Sequence, residues 1–270
     1  MKHKRNEILK LENVSLIYHT KDDEILALKD INFSVYENEF VAIVGPSGCG
    51  KTTILSLISG LLKPSSGKIL IDGKQINKTN CEIGYMLQRD HLFEWRTIWK
   101  NITLGLELQN KTKDKELIRK AKELVEKYGL ESFKNKKPYQ LSGGMRQRVA
   151  LIRTLAVNPK ILLLDEPFSA LDFQTRLNLC DSVSEIISNE RKTAILVTHD
   201  IAEAISMADR IIILTTRPGK VKRIIDINLK HLGTPFKRRE SEISHKLFDD
   251  IWKDLLIYNN DGKEVHEKES

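Results

Sequence analysis

A glycine-rich segment, GPSGCGKT at residues 45–52, has the spacing G-x-x-x-x-G-K-S/T and lies between an apolar stretch and a helical pattern. Glycines let backbone N–H groups converge on an anion without obstruction by Cβ atoms, and a helix N-terminus adds positive potential. The spacing predicts a phosphate-binding loop in which Lys51 contacts the β- and γ-phosphates and the Thr52 hydroxyl binds Mg²⁺. A chance glycine-rich turn is the alternative, which the strand before the segment and the helix after it disfavour.

Two adjacent carboxylates, Asp165 and Glu166, end a second apolar stretch, ILLLDEP at residues 161–167. In open α/β sheets, ligands bind beyond the C-terminal ends of the strands. Asp165 would hold Mg²⁺ through water, and Glu166 would orient or polarise an attacking water. Acidic pairs at strand ends are often only helix caps, but the phosphate-binding loop earlier in the chain favours the metal-site interpretation.

A second helix start suited to anions is indicated by LSGGMRQR at residues 141–148, which precedes a helical pattern. Ser142 offers a hydroxyl, and Gly143 and Gly144 leave backbone N–H groups accessible at the positive end of the helix dipole. Taken alone, this segment is best interpreted as a simple N-cap. Two phosphate-type helix starts in one chain suggest that both serve a nucleotide.

The elements that must position these residues follow an α/β pattern, in which short apolar strands alternate with longer helical stretches. The strands are continuous apolar runs rich in β-branched residues, which predicts burial on both faces of a parallel sheet. The predicted strands are Phe40–Val44, 68–72, Ile161–Asp165, 194–198 and Arg210–Leu214.

Residues from about 90 to 158 have a helical pattern throughout, which predicts a helical insertion because a single crossover needs far fewer residues. The residues predicted to share one helix face there are Leu117, Ile118, Ala121, Leu124, Val125 and Tyr128. Near the C-terminus, HKLFDDIWKDLL at residues 245–256 predicts an amphipathic helix that either docks on the core or faces a partner.

The composition of the chain, 40% hydrophobic and 30% charged over 270 residues, excludes wholesale disorder. A net charge of +7, from 44 Lys and Arg against 37 Asp and Glu, favours anionic partners: nucleotides, nucleic acid or a membrane surface. No apolar run approaches the roughly 18 residues of a membrane-spanning helix, and no signal peptide is recognisable. Three cysteines in no paired or metal-like spacing predict reduced thiols in a cytoplasmic chain.

In their order along the chain, these motifs resemble those of the nucleotide-binding subunits of ATP-binding-cassette (ABC) transporters. GPSGCGKTT is similar to the family's Walker A loop, ILLLDEP to its Walker B strand, and LSGGMRQR to its signature motif, with Met145 in place of the commoner glutamine. Gln88 in GYMLQRD matches the Q-loop, residues 169–172 match the D-loop, and His199 in VTHD matches the switch histidine. The resemblance extends over about residues 7–230.

The resemblance implies an ATPase that uses ATP and Mg²⁺. Its catalytic residues would be Glu166, His199, which would contact the γ-phosphate, and Gln88. The Mg²⁺ ligands would be Thr52, Gln88 and Asp165.

Tyr18 lies where the family places an aromatic ring that stacks on adenine, although a lone tyrosine near an early strand is commonly part of a core. The residues that the resemblance assigns to nucleotide binding are Tyr18, Gly45, Pro46, Ser47, Gly48, Cys49, Gly50, Lys51, Thr52 and Thr53.

In the family, two cassettes face head to tail, and each ATP lies between the Walker A loop of one and the signature motif of the other. By this resemblance, Ser142, Gly143, Gly144 and Met145 would act across a dimer, and Asp172 would organise its interface. The expected partner is a second ATPase subunit, in a homodimer.

The fold implied by the resemblance is an α/β P-loop NTPase (RecA-like) core with a helical signature subdomain at about residues 90–158 and an N-terminal antiparallel β part. The cassette would span residues 7–230, and residues 231–270 would form a short C-terminal helical extension.

The segment RDHLFEWRTIWKNITLG after Gln88 carries large apolar residues, namely Leu92, Phe93, Trp95 and Trp99. In the family this region receives a coupling helix of the transmembrane subunit, and a hydrophobic cluster under the helical subdomain is the alternative. The string resembles the LLPWRTV-type sequence of the nitrate, sulfonate and taurine importer branch, with Glu94 in place of the usual proline. The expected partners are integral membrane permease subunits and, indirectly, an extracytoplasmic solute-binding protein, with the chain peripheral on the cytoplasmic face of the membrane and no nucleic acid bound.

Other interpretations remain open at this point. A soluble ABC ATPase acting on DNA or ribosomes usually has tandem cassettes or a long coiled-coil insertion, and a catalytically inactive cassette would lack residues such as Lys51. The basic stretch at residues 217–239 would face anionic lipid, a permease or only solvent. Oxidation of Cys49 inside the phosphate-binding loop would block ATP, although a small residue at that position is sufficient explanation for its presence.

Overall fold

The computed structural model describes residues 6–19 and 23–256. The chain divides into a first unit, Met1–Thr79 with Leu196–Ser270, and a second unit, Asn80–Ile195. The strands are β1 Glu7–His19, β2 Glu24–Tyr36, β3 Phe40–Val44, β4 Ser66–Ile71, β5 Lys74–Gln75, β6 Ile83–Met86, β7 Ile161–Asp165, β8 Thr193–Val197, β9 Arg210–Leu214 and β10 Val221–Asp226. The helices are α1 Lys51–Ile58, α2 Ile98–Ile102, α3 Leu104–Leu108, α4 Lys115–Lys127, α5 Gly143–Ala156, α6 Phe173–Asn189, α7 Ile201–Met207, α8 Pro235–Arg239 and α9 Glu242–Leu256.

An antiparallel sheet in the first unit has the strand order β2-β1-β4-β5. Between residues 9 and 12 of β1, buried leucines alternate with partly exposed charged residues, and Leu9 pairs with both Val35 of β2 and Ile71 of β4. Alternation of this kind places one face of each strand on a core and leaves the other toward solvent. The predicted N-terminal antiparallel β part is therefore present.

Parallel strands in the first unit carry the phosphate-binding segment. β3 pairs in parallel with β9, with Ala42 opposite Ile211, and β10 pairs antiparallel with the other side of β9. All five residues of β3 are buried, as expected for a strand covered on both faces. The predicted bounds of β3 and β9 are correct, whereas β10 was not predicted because its charged residues resemble a solvated stretch.

The second unit contains the parallel strands β6 and β7, with Gly84 opposite Leu162, and a group of helices. The predicted helical region contains α2 to α5, and α5 packs against α2, α3 and α4. On α4, the predicted face buries Ala121, Leu124 and Val125, so that prediction is confirmed. β8 begins in the second unit and ends in the first, one residue earlier at each end than predicted.

The end of the described chain folds onto α7. Both α8 and α9 contact this helix, and the buried Arg238 guanidinium donates hydrogen bonds to the carbonyl oxygens of Ser206 (3.1 Å) and Gly233 (2.8 Å). The predicted amphipathic stretch lies in α9, whose Ile251 is fully buried. Residues 257–270 of the expected extension lie outside the described residues. None of the helices described within residues 6–19 and 23–256 combines the length and the apolar character that crossing a membrane requires.

Candidate functional site

The predicted phosphate-binding loop connects β3 to α1 in the first unit. Gly50 precedes α1 with φ 101°, and Gly48 has φ 74°, both in the left-handed region that favours glycine. No side chain caps the first turn of α1. The ammonium of Lys51 is buried and donates to the carbonyl oxygens of Gly45 (2.8 Å) and Pro46 (3.0 Å), which fixes it across the loop.

This loop fits a bound phosphate chain. An uncapped helix start presents N–H groups and the positive end of the dipole, and the Lys51 ammonium adds a full positive charge nearby. Thr52 is exposed in the first turn of α1, and a hydroxyl oxygen is a ligand type that suits Mg²⁺. The residues present are therefore compatible with ATP and Mg²⁺, although no group of three or more His, Cys, Asp or Glu within residues 6–19 and 23–256 forms a metal cluster by itself.

A loop that the sequence did not point to lies against the phosphate-binding loop. Gly219 donates its N–H to the carbonyl oxygen of Ala27 (2.9 Å) and accepts from the N–H of Lys29 (3.0 Å), so it joins the edge of β2. Gly219 also approaches the backbone of Cys49 closely. The phosphate-binding loop thus has support from β2 and from the segment that follows β9.

Tyr18 stands near the end of β1 with 39% of its surface exposed, so it is not a core residue. Its hydroxyl lies 3.3 Å from the Thr53 hydroxyl on α1. This contact places the tyrosine next to the phosphate-binding loop, with ring surface accessible to a flat ligand.

His199 is exposed in the turn between β8 and α7. The turn is fixed by Thr198, whose hydroxyl donates to Glu203 (3.0 Å) and accepts from the N–H of Asp200 (3.0 Å), and by the Asp200 carboxylate, which caps α7. The histidine is therefore held on a rigid turn of the first unit.

The two carboxylates that follow the second apolar stretch differ in environment. Asp165 is 6% exposed at the end of β7, and the Tyr85 hydroxyl donates to its Oδ2 at 3.2 Å. Glu166 has φ 43°, a conformation that costs energy for a residue with a side chain and that clusters at functional sites. Sequence reasoning missed Tyr85, because only pairing of β6 with β7 brings it beside Asp165.

Within the second unit, Gln88 contacts two other predicted motifs, the carboxylates after the second apolar stretch and the segment at residues 169–172. Its Nε2 lies 3.5 Å from Glu166 Oε2 and 3.3 Å from the Ser169 hydroxyl. The Ser169 hydroxyl donates in turn to the carbonyl oxygen of Glu166 (3.0 Å). The Gln88 amide is thus positioned to orient the Glu166 carboxylate.

The signature segment begins α5 with Ser142 as its N-cap, since the Ser142 hydroxyl accepts from the N–H of Met145 (3.4 Å). A methyl group on Gly144 would lie 3.1 Å from the Thr175 methyl of α6, so a larger residue would crowd this contact. Asp172 caps α6 by accepting from the N–H of Thr175 (3.0 Å). A hydrogen bond with the Thr175 side chain, and then the one with its backbone N–H, lower the pKa of Asp172.

An ion-pair cluster ties the segment after Gln88 to the signature helix. Arg146 of α5 contacts Asp90 (2.8 Å) and Glu94 (2.7 Å), and Arg153 donates to the carbonyl oxygens of Asp90 and His91. Burial of Asp90 opposes its charge, yet the hydrogen bonds from Arg146 and from the Leu92 N–H hold its pKa below the usual value. Glu94, which stands where the resembled importer branch has proline, gains a partner in Arg146.

The apolar residues near this cluster divide into two groups. Leu92 is buried, whereas Phe93 and Trp95 are exposed and stack on each other with ring centroids 4.7 Å apart. Trp95 exposes 72% of its surface, which is unusual for a side chain of its size. Leu92 therefore fits the predicted hydrophobic cluster, whereas the role of the exposed pair in receiving a coupling helix stays a prediction.

The three cysteines are free thiols, as predicted. Burial raises the pKa of Cys49, which disfavours the reactive thiolate at pH 7. This environment gives no support to oxidation of Cys49 as a regulatory step.

The sequence profile described as ABC transporter matches residues 28–169. An uncharacterised ABC transporter ATP-binding protein of Bacillus subtilis is 46% identical over 249 residues, 92% of this chain and 95% of that protein. The aliphatic sulfonates import ATP-binding protein SsuB of Bacillus cereus is 39% identical over 247 residues, 92% of this chain and 97% of that protein. The nitrate import ATP-binding protein NrtD of a Synechocystis species is 36% identical over 262 residues, 97% of this chain and 98% of that protein.

A solved structure with the same fold is the dimeric, post-hydrolysis state of an ATP-binding cassette bound to ADP and Pi. It matches with a TM-score of 0.69 and 36% identity over 82% of this chain and 99% of that chain. The likeness confirms the predicted α/β fold class.

Proposed function

The chain belongs to the ABC transporter family as an ATP-binding subunit, and from that premise we propose that it hydrolyses ATP to power a multi-subunit importer. The functional cassette in this proposal spans residues 7–230, with residues 231–270 as an extension. The observation that carries the enzymatic part is the contact of the Gln88 amide with both Glu166 and Ser169.

Each residue of the proposed reaction has a physical task. Lys51 and the loop N–H groups bind the phosphates, and Tyr18 stacks on adenine. Glu166 orients the attacking water and accepts its proton, and Gln88 holds that carboxylate in place. His199 contacts the γ-phosphate.

Mg²⁺ would be held by Thr52, Gln88 and Asp165. When bound, the ion neutralises charge that develops on the transferred phosphoryl group. Asp165 suits this task because it is buried and already oriented by the Tyr85 hydroxyl, which limits the reorganisation that binding requires.

We propose further that the active form is a homodimer in which the signature residues Ser142, Gly143, Gly144 and Met145 bind the ATP of the other copy, with Asp172 at the interface. A helix start with two glycines suits an anion because its backbone N–H groups are accessible. The dimeric state of the solved relative supports this arrangement. ATP would close the dimer, and hydrolysis would open it.

The membrane partner in this proposal binds the Phe93–Trp95 pair. Exposed stacked aromatic rings are typical of interface residues, and Phe93 lies only five positions after Gln88 in the chain. The chain would then sit on the cytoplasmic face of the membrane against integral permease subunits, with an extracytoplasmic solute-binding protein acting indirectly and no nucleic acid bound. The sulfonate and nitrate import relatives support a small solute, of the nitrate, sulfonate or taurine type or related to these, as cargo.

Fractionation of cells tests the transport role. The chain should appear in the membrane fraction, and W95A should move it to the soluble fraction. W252A is the matched control, because Trp252 of α9 is also exposed (47%) but lies outside this surface. A chain found only with ribosomes or DNA, or a W95A variant that stays on membranes in wild-type amount, would contradict the proposal.

A further inference from the structure

Two lysines of the second unit converge on one neutral oxygen, away from the residues discussed so far. Lys120 of α4 and Lys192, which precedes β8, donate to the Asn158 Oδ1 at 2.7 and 2.8 Å. Because both nitrogens lie within hydrogen-bond distance of the same atom, they are at most about 5.5 Å apart. Two ammonium groups this close repel each other.

The surroundings of Lys192 do not compensate its charge. Glu190, the acidic side chain that acts on the Lys192 charge, is already bonded to the Lys127 ammonium (3.2 Å) and the Tyr128 hydroxyl (3.3 Å). Within the described residues Lys192 forms no ion pair. Burial, and then repulsion by Lys120, lower the pKa of Lys192 to about 8, against a smaller opposing effect of Glu190.

We propose that Lys192 is a nucleophilic amine and a site of modification by small acyl phosphates. The neutral Nζ attacks the carbonyl carbon of the acyl phosphate and forms an N–C bond. The C–O bond to phosphate breaks, inorganic phosphate leaves with the electron pair, and the proton lost from nitrogen passes to the solvent. The product is an amide whose N–H remains able to donate to Asn158.

The geometry favours an anionic acyl donor. The Lys120 ammonium, fixed beside Lys192 by Asn158, attracts the phosphate of the donor and stabilises that group as it leaves. Lys120 therefore has two effects. Its positive charge disfavours the charged form of Lys192, and the same charge binds the phosphate leaving group. A lone exposed lysine offers neither effect.

The test measures acylation of the full chain by acetyl phosphate, with the rate at each lysine followed by mass spectrometry. At about pH 7.5, Lys192 should react about tenfold faster than the exposed Lys113. A larger fraction of the Lys192 amine is neutral than of an ordinary lysine amine, and this outweighs the lower nucleophilicity of a less basic amine. Its rate should reach half of its maximum near pH 8. Equal rates at Lys192 and Lys113 would overturn the proposal.

Variants separate this chemistry from simple accessibility. N158D places a carboxylate between the two ammonium groups, and Asp tolerates the left-handed backbone (φ 56°) that Asn158 adopts. It should slow acylation of Lys192 about tenfold, and K120Q should also slow it, because both restore the charged amine. K120R keeps the neighbouring charge and should retain most of the rate. Unchanged acylation in both N158D and K120Q would refute the role of the lysine pair.

Discussion

Gly219 lies so close to Cys49 that a methyl group on its Cα would come within 2.1 Å of the Cys49 carbonyl oxygen. A methyl group on Gly50 would likewise come within 2.5 Å of the Leu28 side chain. The phosphate-binding loop is therefore in direct contact with β2 and with the segment after β9, and glycine at both positions makes this contact possible.

Substitution of Gly219 should disturb nucleotide binding from outside the site. G219A forces the Cys49 carbonyl and the loop to shift, and we expect ATP affinity to fall by about tenfold, or about 1.4 kcal/mol. Titration calorimetry with MgATP measures this loss. G105A is the control, since its methyl would meet the Val157 side chain at 2.5 Å in the second unit, and it should reduce stability but leave ATP affinity unchanged. Wild-type affinity in G219A would contradict the supporting role.

The Asp90–Arg146 ion pair predicts a pH-dependent contribution to stability. Because the folded pKa of Asp90 is lowered, its contribution is complete above the unfolded value of about 4 and is lost as the pH falls through the folded pKa. D90N should reduce the free energy of unfolding by about 1 kcal/mol at neutral pH. Urea unfolding of both proteins between about pH 7 and pH 3 measures the difference, which should shrink toward the acid end. A difference that is constant with pH would show that the effect is not electrostatic.

Tyr18 should bind the base and not the phosphates. Y18A should weaken ATP binding by about 1 to 3 kcal/mol, the usual range for loss of a stacked aromatic ring. Binding of tripolyphosphate, which has no base, should not change. Y18F loses only the contact with the Thr53 hydroxyl and should stay close to wild type. If Y18A weakened the binding of ATP and of tripolyphosphate equally, the substitution would be acting on the phosphate-binding loop and not on stacking with the base.

Changes in the signature segment should separate hydrolysis from binding. Replacing Ser142 together with Gly143 should abolish ATP hydrolysis and leave ATP binding to the monomer intact. D114A is the control for loss of a helix cap, since Asp114 caps α4 in the same unit, and it should retain activity. A parallel loss of monomer binding, seen by calorimetry, would argue against action across a dimer.

The sequence predicted the parts of the fold that depend on continuous apolar runs. β3, β7 and β9 have the predicted bounds because burial on both faces demands uninterrupted aliphatic residues. β10 escaped prediction because an edge strand carries charged residues, here Lys222, Arg223 and Asp226.

The spacing of motifs along the chain likewise predicted the functional residues, but not the residues that hold them in place. The contacts Tyr85–Asp165 and Arg146–Asp90 join residues 80 and 56 positions apart, so no local pattern encodes them. Gly219 illustrates the same limit, since its importance depends on the carbonyl that it approaches and not on its neighbours in sequence.

The mass of E166Q in solution, by light scattering with and without ATP, tests the central proposal most directly. The amide cannot accept the proton of the attacking water, so ATP should stay bound and hold two copies together. The account predicts a mass of 31.0 kDa without ATP and twice that value with it. A variant that binds ATP and remains at 31.0 kDa, or that hydrolyses ATP at the wild-type rate, would contradict it.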